Sequence, residues 1–325
     1  MRQVQTVVGP SAPDKLGKVL IHEHFLIGHP GWEGDQTVAR FDREQIVQAG
    51  VKMAARVRSH GVQTVVDATP NDLGRNVEIL REIAERGGIN IICASGYFSE
   101  AQGGSCYFRT LSQFADGAGL IYELIKREVT EGIRDTGIRP GILKIATGEG
   151  AITDYERTFF KVAARVSQED GIPISTHTER GTMGPEQVEL LLSEGADPER
   201  ILIGHSCGNT DFDYLLRILE KGVYVGFDRF GIEGVMGTPT DAERVRSLLR
   251  LLERGHVNRI LISHDWINFW LARPLVNDIV AMVLPKWNPG HFFEDILPEL
   301  RAAGVSDEQI TAMLVDNPRR FLGGV

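Results

Sequence analysis

The sequence predicts an α/β fold, a (β/α)8 TIM barrel with a C-terminal helical appendage. Three observations carry that expectation. Short β-branched runs alternate eight times with stretches of helical periodicity along the 325 residues. Each run is followed by polar, glycine or turn residues and then a helix, the pattern of parallel strands joined by right-handed crossovers. The rival architecture, an open doubly wound sheet, has a G-x-G-x-x-G after its first strand as its usual marker, and that motif is absent. Eight such units over about 250 residues match the size of a barrel.

The strand runs, in order, are KVLIHEH (18–24), VQTVVDAT (62–69), INIICASG (89–96), GILKIAT (141–147), IPISTHT (172–178), ILIGHS (201–206), VYVGFD (223–228) and ILISHD (260–265). The helical stretches between them are 43–59, 75–87, 119–134, 154–169, 186–194, 211–221 and 241–254. Beyond the eighth strand, PLVNDIVAMVLP and FFEDILPELRAAG read as helices, and SDEQITAMLVDNPRRF starts with Ser306 as an N-cap. These form the last barrel helix and the appendage. With no Pro/Gly/Ser-rich linker to split it, residues 1–325 are read as one domain.

Composition narrows the partners. Lys and Arg number 35 against 44 Asp and Glu, a net charge of −9. Phosphate backbones and anionic bilayers call for a basic footprint, so nucleic acid and membrane are excluded as default partners and a small-molecule substrate is favoured. The opening MRQVQTVVGPSAPDKLGK has no apolar core of signal-peptide length, and no run approaches the roughly 18 apolar residues of a membrane span. Cys93, Cys106 and Cys207 are odd in number, widely spaced and free of any CxxC. Reduced thiols in a cytoplasmic protein follow.

Catalytic groups of a barrel sit at the C-terminal ends of its strands. There the sequence places His22 and His24 on the first strand, Asp67 on the second, Lys144 on the fourth, His177 on the fifth, His205 on the sixth, Asp228 and Arg229 on the seventh, and His264 and Asp265 on the eighth. His22 and His24 are one residue apart, so strand alternation puts them on one face. A lone histidine at a strand tip is usually a satisfied polar residue. Four on one rim, with Asp265, are the ligand set of zinc or a similar ion. His264 neighbours Asp265, so alternation turns it away, and it reads as structural. His29, His60, His256 and His291 lie off the strand tips and read as solvated.

Lys144 is the odd member, because an ammonium has no lone pair for a cation. It either titrates low, as a Schiff-base lysine does, or is converted by carbon dioxide to an anionic carbamate whose two oxygens bridge two metals. Beside so many histidines the carbamate is the stronger reading. His22, His24 and Asp265 would then hold one ion and His177 and His205 the other, with a bridging hydroxide as nucleophile. Asp265, touching metal and nucleophile, would take the proton as the tetrahedral intermediate collapses.

The pattern resembles the binuclear amidohydrolase superfamily and, more closely, the lactonase-like members of the phosphotriesterase family. DTGIRPGILKIAT, STHT, ERILIGHS, GFDRFG, SHDW and DNPRRF are all similar to family stretches and follow in family order from about residue 6 to the C-terminus. The resemblance implies a carboxylated Lys144, two divalent ions (zinc, or cobalt, iron or manganese) and a homodimer. It also bears on substrate. Arg229 follows Asp228 where organophosphate-specialised members tend to carry histidine and the lactonase-like branch arginine. N-acyl-homoserine or other aliphatic lactones are therefore the expected substrates, with promiscuous organophosphate or aryl-ester hydrolysis. A phosphotriesterase or carboxylesterase is the alternative, and a non-enzymatic metal-binding barrel the remote one. Asp228 is read as orienting a ligating histidine, or else as a strand-end turn former. Arg229 has a rim salt bridge as its bland alternative.

Two positions depart from the family. Phe98 occupies the place of a tyrosine near the metals, with Tyr97 beside it, and a one-residue slip would exchange their facing. Gly208 stands where members carry an aspartate proposed as a proton relay, which leaves Asp211 as a substitute or another proton path. The loop WINFWLARP places Trp266, Phe269 and Trp270 as walls of an acyl channel, or as packing or a dimer contact. Cys106 and Cys207 have no free base to activate them and are read as bystanders.

Overall fold

The computed structural model describes residues 3–235, 237–273 and 277–324. A short antiparallel hairpin, β1 (Val4–Thr6) and β2 (Gly9–Ser11), precedes eight parallel strands in chain order. These are β3 (Lys18–Glu23), β4 (Val62–Asp67), β5 (Asn90–Gly96), β6 (Ile142–Thr147), β7 (Ile174–Thr178), β8 (Ile201–Ile203), β9 (Tyr224–Phe227) and β10 (Ile260–Ile262). All eight fall within the runs picked from sequence. The hairpin does not, because three residues a side are too few for an alternation to register.

The first and last strands meet without a regular ladder. Asp265 N donates to His22 O, His24 N to Trp266 O, and Ile27 N to Phe269 O, so the barrel is closed by residues beyond the strand ends. Those residues carry the candidate site.

Helices α1 (Arg43–Arg58), α2 (Val77–Gly87), α3 (Ser105–Leu111), α4 (Gly117–Thr130), α5 (Asp154–Asp170), α6 (Gly184–Ser193), α7 (Phe212–Leu219) and α8 (Asp241–Glu253) surround the strands. Local chemistry sets their ends. Asn76 caps α2 by accepting from Ile79 N, and Gly88 at φ 60° ends it in the left-handed conformation that favours glycine. Val77, Ile79, Leu80, Ile83 and Ala84 form its buried face. Each large side chain there contributes roughly 1.5–3 kcal/mol on burial. α3 went unpredicted, since SCYFRTL is too short to show a helical stripe.

Two apolar layers result. Leu20, Val65, Ile91, Leu143, Ile203 and Ile262 pack outward against the helices, while Val19, Ile21, Val66, Ile92, Ile142, Leu202, Tyr224 and Leu261 fill the barrel. One irregularity matters for function. Between Leu20 and Glu23, β3 holds one more residue than its partner segment Val65–Asp67, a β-bulge. Bulges re-aim side chains. The inward side therefore passes from Val19 and Ile21 to His22 and His24, and Glu23 turns outward.

After β10, α9 (Asn277–Val283) takes up part of the predicted 274–285 helix, of which 274–276 lie outside the described residues. The appendage runs through a π-turn at Phe292–Ile296 into α10 (Leu297–Ala302), then α11 (Asp307–Thr311), a second π-turn and α12 (Asn317–Gly323). Ser306 is the N-cap, in a capping box with Gln309. One expectation is corrected. His291 is not solvated. It is buried at 1 % exposure, because Asp241 and Asp295 bracket its ring from both sides.

Candidate metal centre and active site

His22, His24, Lys144, His177, His205 and Asp265 converge at the C-terminal mouth of the barrel and line one cavity of about 260 Å³. Ring centroids lie 5.4 Å apart for His22 and His24, 4.6 Å for His22 and His205, and 4.6 Å for His177 and His205. The His22, His24, Lys144, His177 and His205 side chains are buried, and that of Asp265 is nearly so.

Hydrogen-bond partners fix each tautomer. Thr69 Oγ1 donates to Leu26 O, so it accepts from His24 Nδ1 at 2.8 Å, leaving Nε2 as the lone-pair nitrogen of His24. His205 Nδ1 donates to Asp228 Oδ1 at 3.1 Å, and His205 Nε2 is left facing Asp265 Oδ2 at 3.7 Å. His22 Nδ1 faces Asp228 Oδ2 at 3.4 Å, while its Nε2 accepts from Lys144 Nζ at 3.0 Å. His177 donates Nε2 to Glu179 Oε2 at 3.0 Å, which leaves Nδ1 free.

Acceptors thus crowd one point. Asp265 Oδ1 lies 3.2 Å from His24 Nε2 and 3.6 Å from His22 Nε2, with no proton between them. Converging lone pairs repel unless a cation joins them. The residues therefore fit a divalent ion, and a second grouping of His22, His205 and Asp228 also meets ligand spacing.

The electrostatics agree. Burial, helped by the Lys144 charge, pushes His22 down to about 4. Burial likewise holds His177 at about 4 and His205 well below the usual histidine range. All three are neutral at pH 7, the form that ligates. Burial lowers Lys144 to about 7, so a neutral amine is well populated at neutral pH. Burial alone would raise Asp265, but the Arg229 guanidinium hydrogen-bonded to it outweighs burial and holds its carboxyl well below the usual carboxylate range.

His205 and Asp265 both adopt left-handed backbone, at φ 56° and 55°, a strained state that neighbours must hold. Asp228 does so for His205, accepting its backbone N–H at 2.9 Å. Glu23 does so for Asp265. From between the two histidines it accepts from Ser263 Oγ, from the N–H and Nδ1 of His264, and from Trp266 N. His264 is thus a structural residue. Asp67, at the neighbouring tip, accepts from Phe25 N and Thr69 N and serves the backbone.

The other expected residues separate. Arg229 lines the cavity and donates Nε to Asp265 Oδ2 at 2.9 Å, so the rim salt bridge is present. Phe98 lies in the cavity, edge-on to His177 at 4.7 Å. Tyr97, expected beside the substrate, does not line this cavity. It packs away from the cavity against Phe108 and Phe159, because Asp72 grips the Phe98 and Gly104 amides and fixes the register. Trp266 does not line it either. It packs edge-on against Trp287 in an adjoining hollow, and Ile267 and Trp270 face the candidate site instead. Asp211 caps α7 and does not line the cavity.

Glu179 was not anticipated. Gly208 packs on the backbone of Gly181, and the same turn carries the Glu179 carboxylate into the cavity. The hydrogen bond from His177 holds that carboxylate down at about 2, against burial. Its signal in sequence was the acidic residue two positions past a strand-tip histidine.

The phosphotriesterase family profile matches residues 2–322. A curated relative, a phosphotriesterase homology protein of Mycobacterium tuberculosis, is 34% identical over 324 residues, 99% of this chain and 98% of the relative. The organophosphorus hydrolase of Deinococcus radiodurans is 47% identical at a TM-score of 0.96, covering 99% of this chain and 97% of that one. A variant of a phosphotriesterase-like lactonase from the same organism superposes at 0.96 with 47% identity, over 98% of this chain and 100% of the other.

Proposed function

The chain belongs to the phosphotriesterase family of ester-hydrolysing enzymes, and on that premise we propose that it is a binuclear-metal lactonase. It opens N-acyl-homoserine or other aliphatic lactones, with weaker organophosphate and aryl-ester hydrolysis. One observation carries the reading: the lone-pair cluster lies at the floor of a cavity walled by Ile27, Leu73, Phe98, Ile232, Ile267 and Trp270, a site for an apolar chain attached to a polar ring.

Two divalent ions, zinc or a similar metal, held by His22, His24, Asp265, His177 and His205, would supply a Lewis acid and an ionised water at neutral pH. Lys144 completes the set as a carbamate. Its neutral amine adds to carbon dioxide, an N–C bond forms, and the N–H proton leaves to solvent. Asp265 takes the proton released during attack and returns it to the ring oxygen as the C–O bond breaks. That oxygen stays tethered to the product, so a proton carried by one nearby carboxylate suffices. Arg229 holds Asp265 ionised and oriented, and Asp228 and Glu179 orient His205 and His177. A homodimer is part of the same proposal, to be checked by sedimentation.

A phosphotriester as main substrate is the second reading, favoured by the description of the Deinococcus radiodurans relative as an organophosphorus hydrolase. Comparing kcat/KM for a long-chain acyl lactone with that for a paraoxon-like ester separates the two. The lactone is expected to win, and a large preference for the phosphotriester reverses the assignment.

A further inference from the structure

The segment after β9 walls one side of the cavity through Arg229, Ile232, Val235 and Thr238. It turns at Gly231, φ 94°, and its hold lies beneath it. Gly231 N donates to both oxygens of Asp241, at 3.2 and 3.0 Å. Arg244, wholly buried, donates Nη1 to Asp241 at 2.8 Å and Nη2 to Ile232 O at 2.6 Å. The turn also rests on the chain at 286–287, where a Cβ on Gly231 would come within 2.8 Å of Trp287 Cα.

His291, from the start of the appendage, anchors this arrangement. Its Nε2 lies 2.8 Å from Asp241 Oδ2 and its Nδ1 2.7 Å from Asp295 Oδ2. Carboxylates only accept, so both contacts are satisfied together only by the imidazolium. The charged groups around it are Asp241 and Arg244 of α8, Asp295 on its own turn and, one step out, Glu233 paired with Lys286. His264, held by Glu23, lies on the other side and accepts from Phe292 N. The two carboxylates outweigh burial and raise His291 above the ordinary histidine value.

We propose that His291 and Asp241 are positioning residues for substrate recognition: the imidazolium clamps Asp241, Asp241 fixes the Gly231 turn, and the turn sets where Ile232 and Val235 stand in the cavity. This rests on that cavity being the substrate site. The wall is firm while His291 is protonated. It loosens as pH rises through the His291 titration, where a charge-assisted hydrogen bond becomes a weaker neutral one.

The test compares wild type, Asp295→Asn and His291→Gln on an N-acyl lactone across pH 6 to 9.5 (a range chosen to span roughly the raised histidine titration). Asp295 is exposed, so its variant keeps the fold. In wild type, KM rises about threefold on the alkaline side with kcat unmoved. Asp295→Asn moves that rise to lower pH, and His291→Gln, which cannot titrate, flattens it. Hydrogen exchange of the Gly231 amide, read side by side at each pH so that the intrinsic rate cancels, loses protection in the same windows. Coincident KM profiles in the three proteins, or equal Gly231 protection throughout, overturns the proposal. If no lactone or ester is turned over, the exchange arm still decides, so failure of the functional reading is told apart.

Discussion

Lys144 is the residue on which the chemistry turns. An amine lowered to about 7 by burial sits 3.0 Å from a histidine and points into a cluster of acceptors. As an ammonium it would repel a divalent ion, and as the proposed carbamate it would hold one. Lys144→Ala is expected to lose metal and activity together, with partial rescue by short carboxylic acids. Full activity without rescue removes the bridging role. Glu179 makes a subtler case. Glu179→Gln weakens the hydrogen bond that fixes His177, and metal affinity should fall by roughly tenfold. An unchanged affinity by calorimetry returns Glu179 to the rim. The buried histidines also set a pH limit. Unfolded, His22 and His177 titrate near 6.5, and folded, near 4. Between those values the unfolded chain binds protons that the native one refuses. Stability is therefore complete above about 6.5 and falls toward 4, on the order of 3 kcal/mol for each group. Denaturant titration of metal-free protein at pH 7.5 and 5 reads this directly, and equal midpoints contradict it.

At the scale of elements, the tips of β3 and β10 form one unit. The pairing of His22 with His24 on a single face was legible from strand alternation. The bulge that turns that face inward was not, because one inserted residue leaves no mark in composition. Glu23, pointing away from the two histidines, accepts hydrogen bonds from three residues, Ser263, His264 and Trp266, that flank the strained Asp265 junction. Glu23→Gln substitutes a neutral group with one acceptor oxygen. We expect a loss of about 2–3 kcal/mol and reduced metal content. Normal stability with normal metal would show that closure does not depend on it. The choice between Tyr97 and Phe98 was likewise open in sequence, since neighbouring aromatics differ only in phase. Asp72, on a different loop, sets that phase by binding the Phe98 amide. Long-range contacts of this kind leave no local signal.

At the scale of the molecule, residues from 22 to 265 meet at one mouth because eight parallel strands all end there. That convergence made the candidate ligands legible, since reactive side chains recurred at one strand end. The cavity walls were less so. Trp266 and Trp270 belong to one aromatic loop, and only the closing bonds between it and residues 24–27 decide that Trp270 and Ile267 face the site. Arg229→Ala should lower kcat as well as change substrate preference, because Arg229 both holds Asp265 and lines the cavity. An unchanged profile makes its salt bridge purely structural. Metal-dependent lactone hydrolysis is read from kcat/KM for a long-chain acyl lactone against a paraoxon-like ester on protein of measured metal content. Lactone hydrolysis should exceed phosphotriester hydrolysis about a hundredfold and be lost when a chelator removes the metal. A phosphotriester preference, or lactone hydrolysis that survives metal removal, would contradict the proposed function.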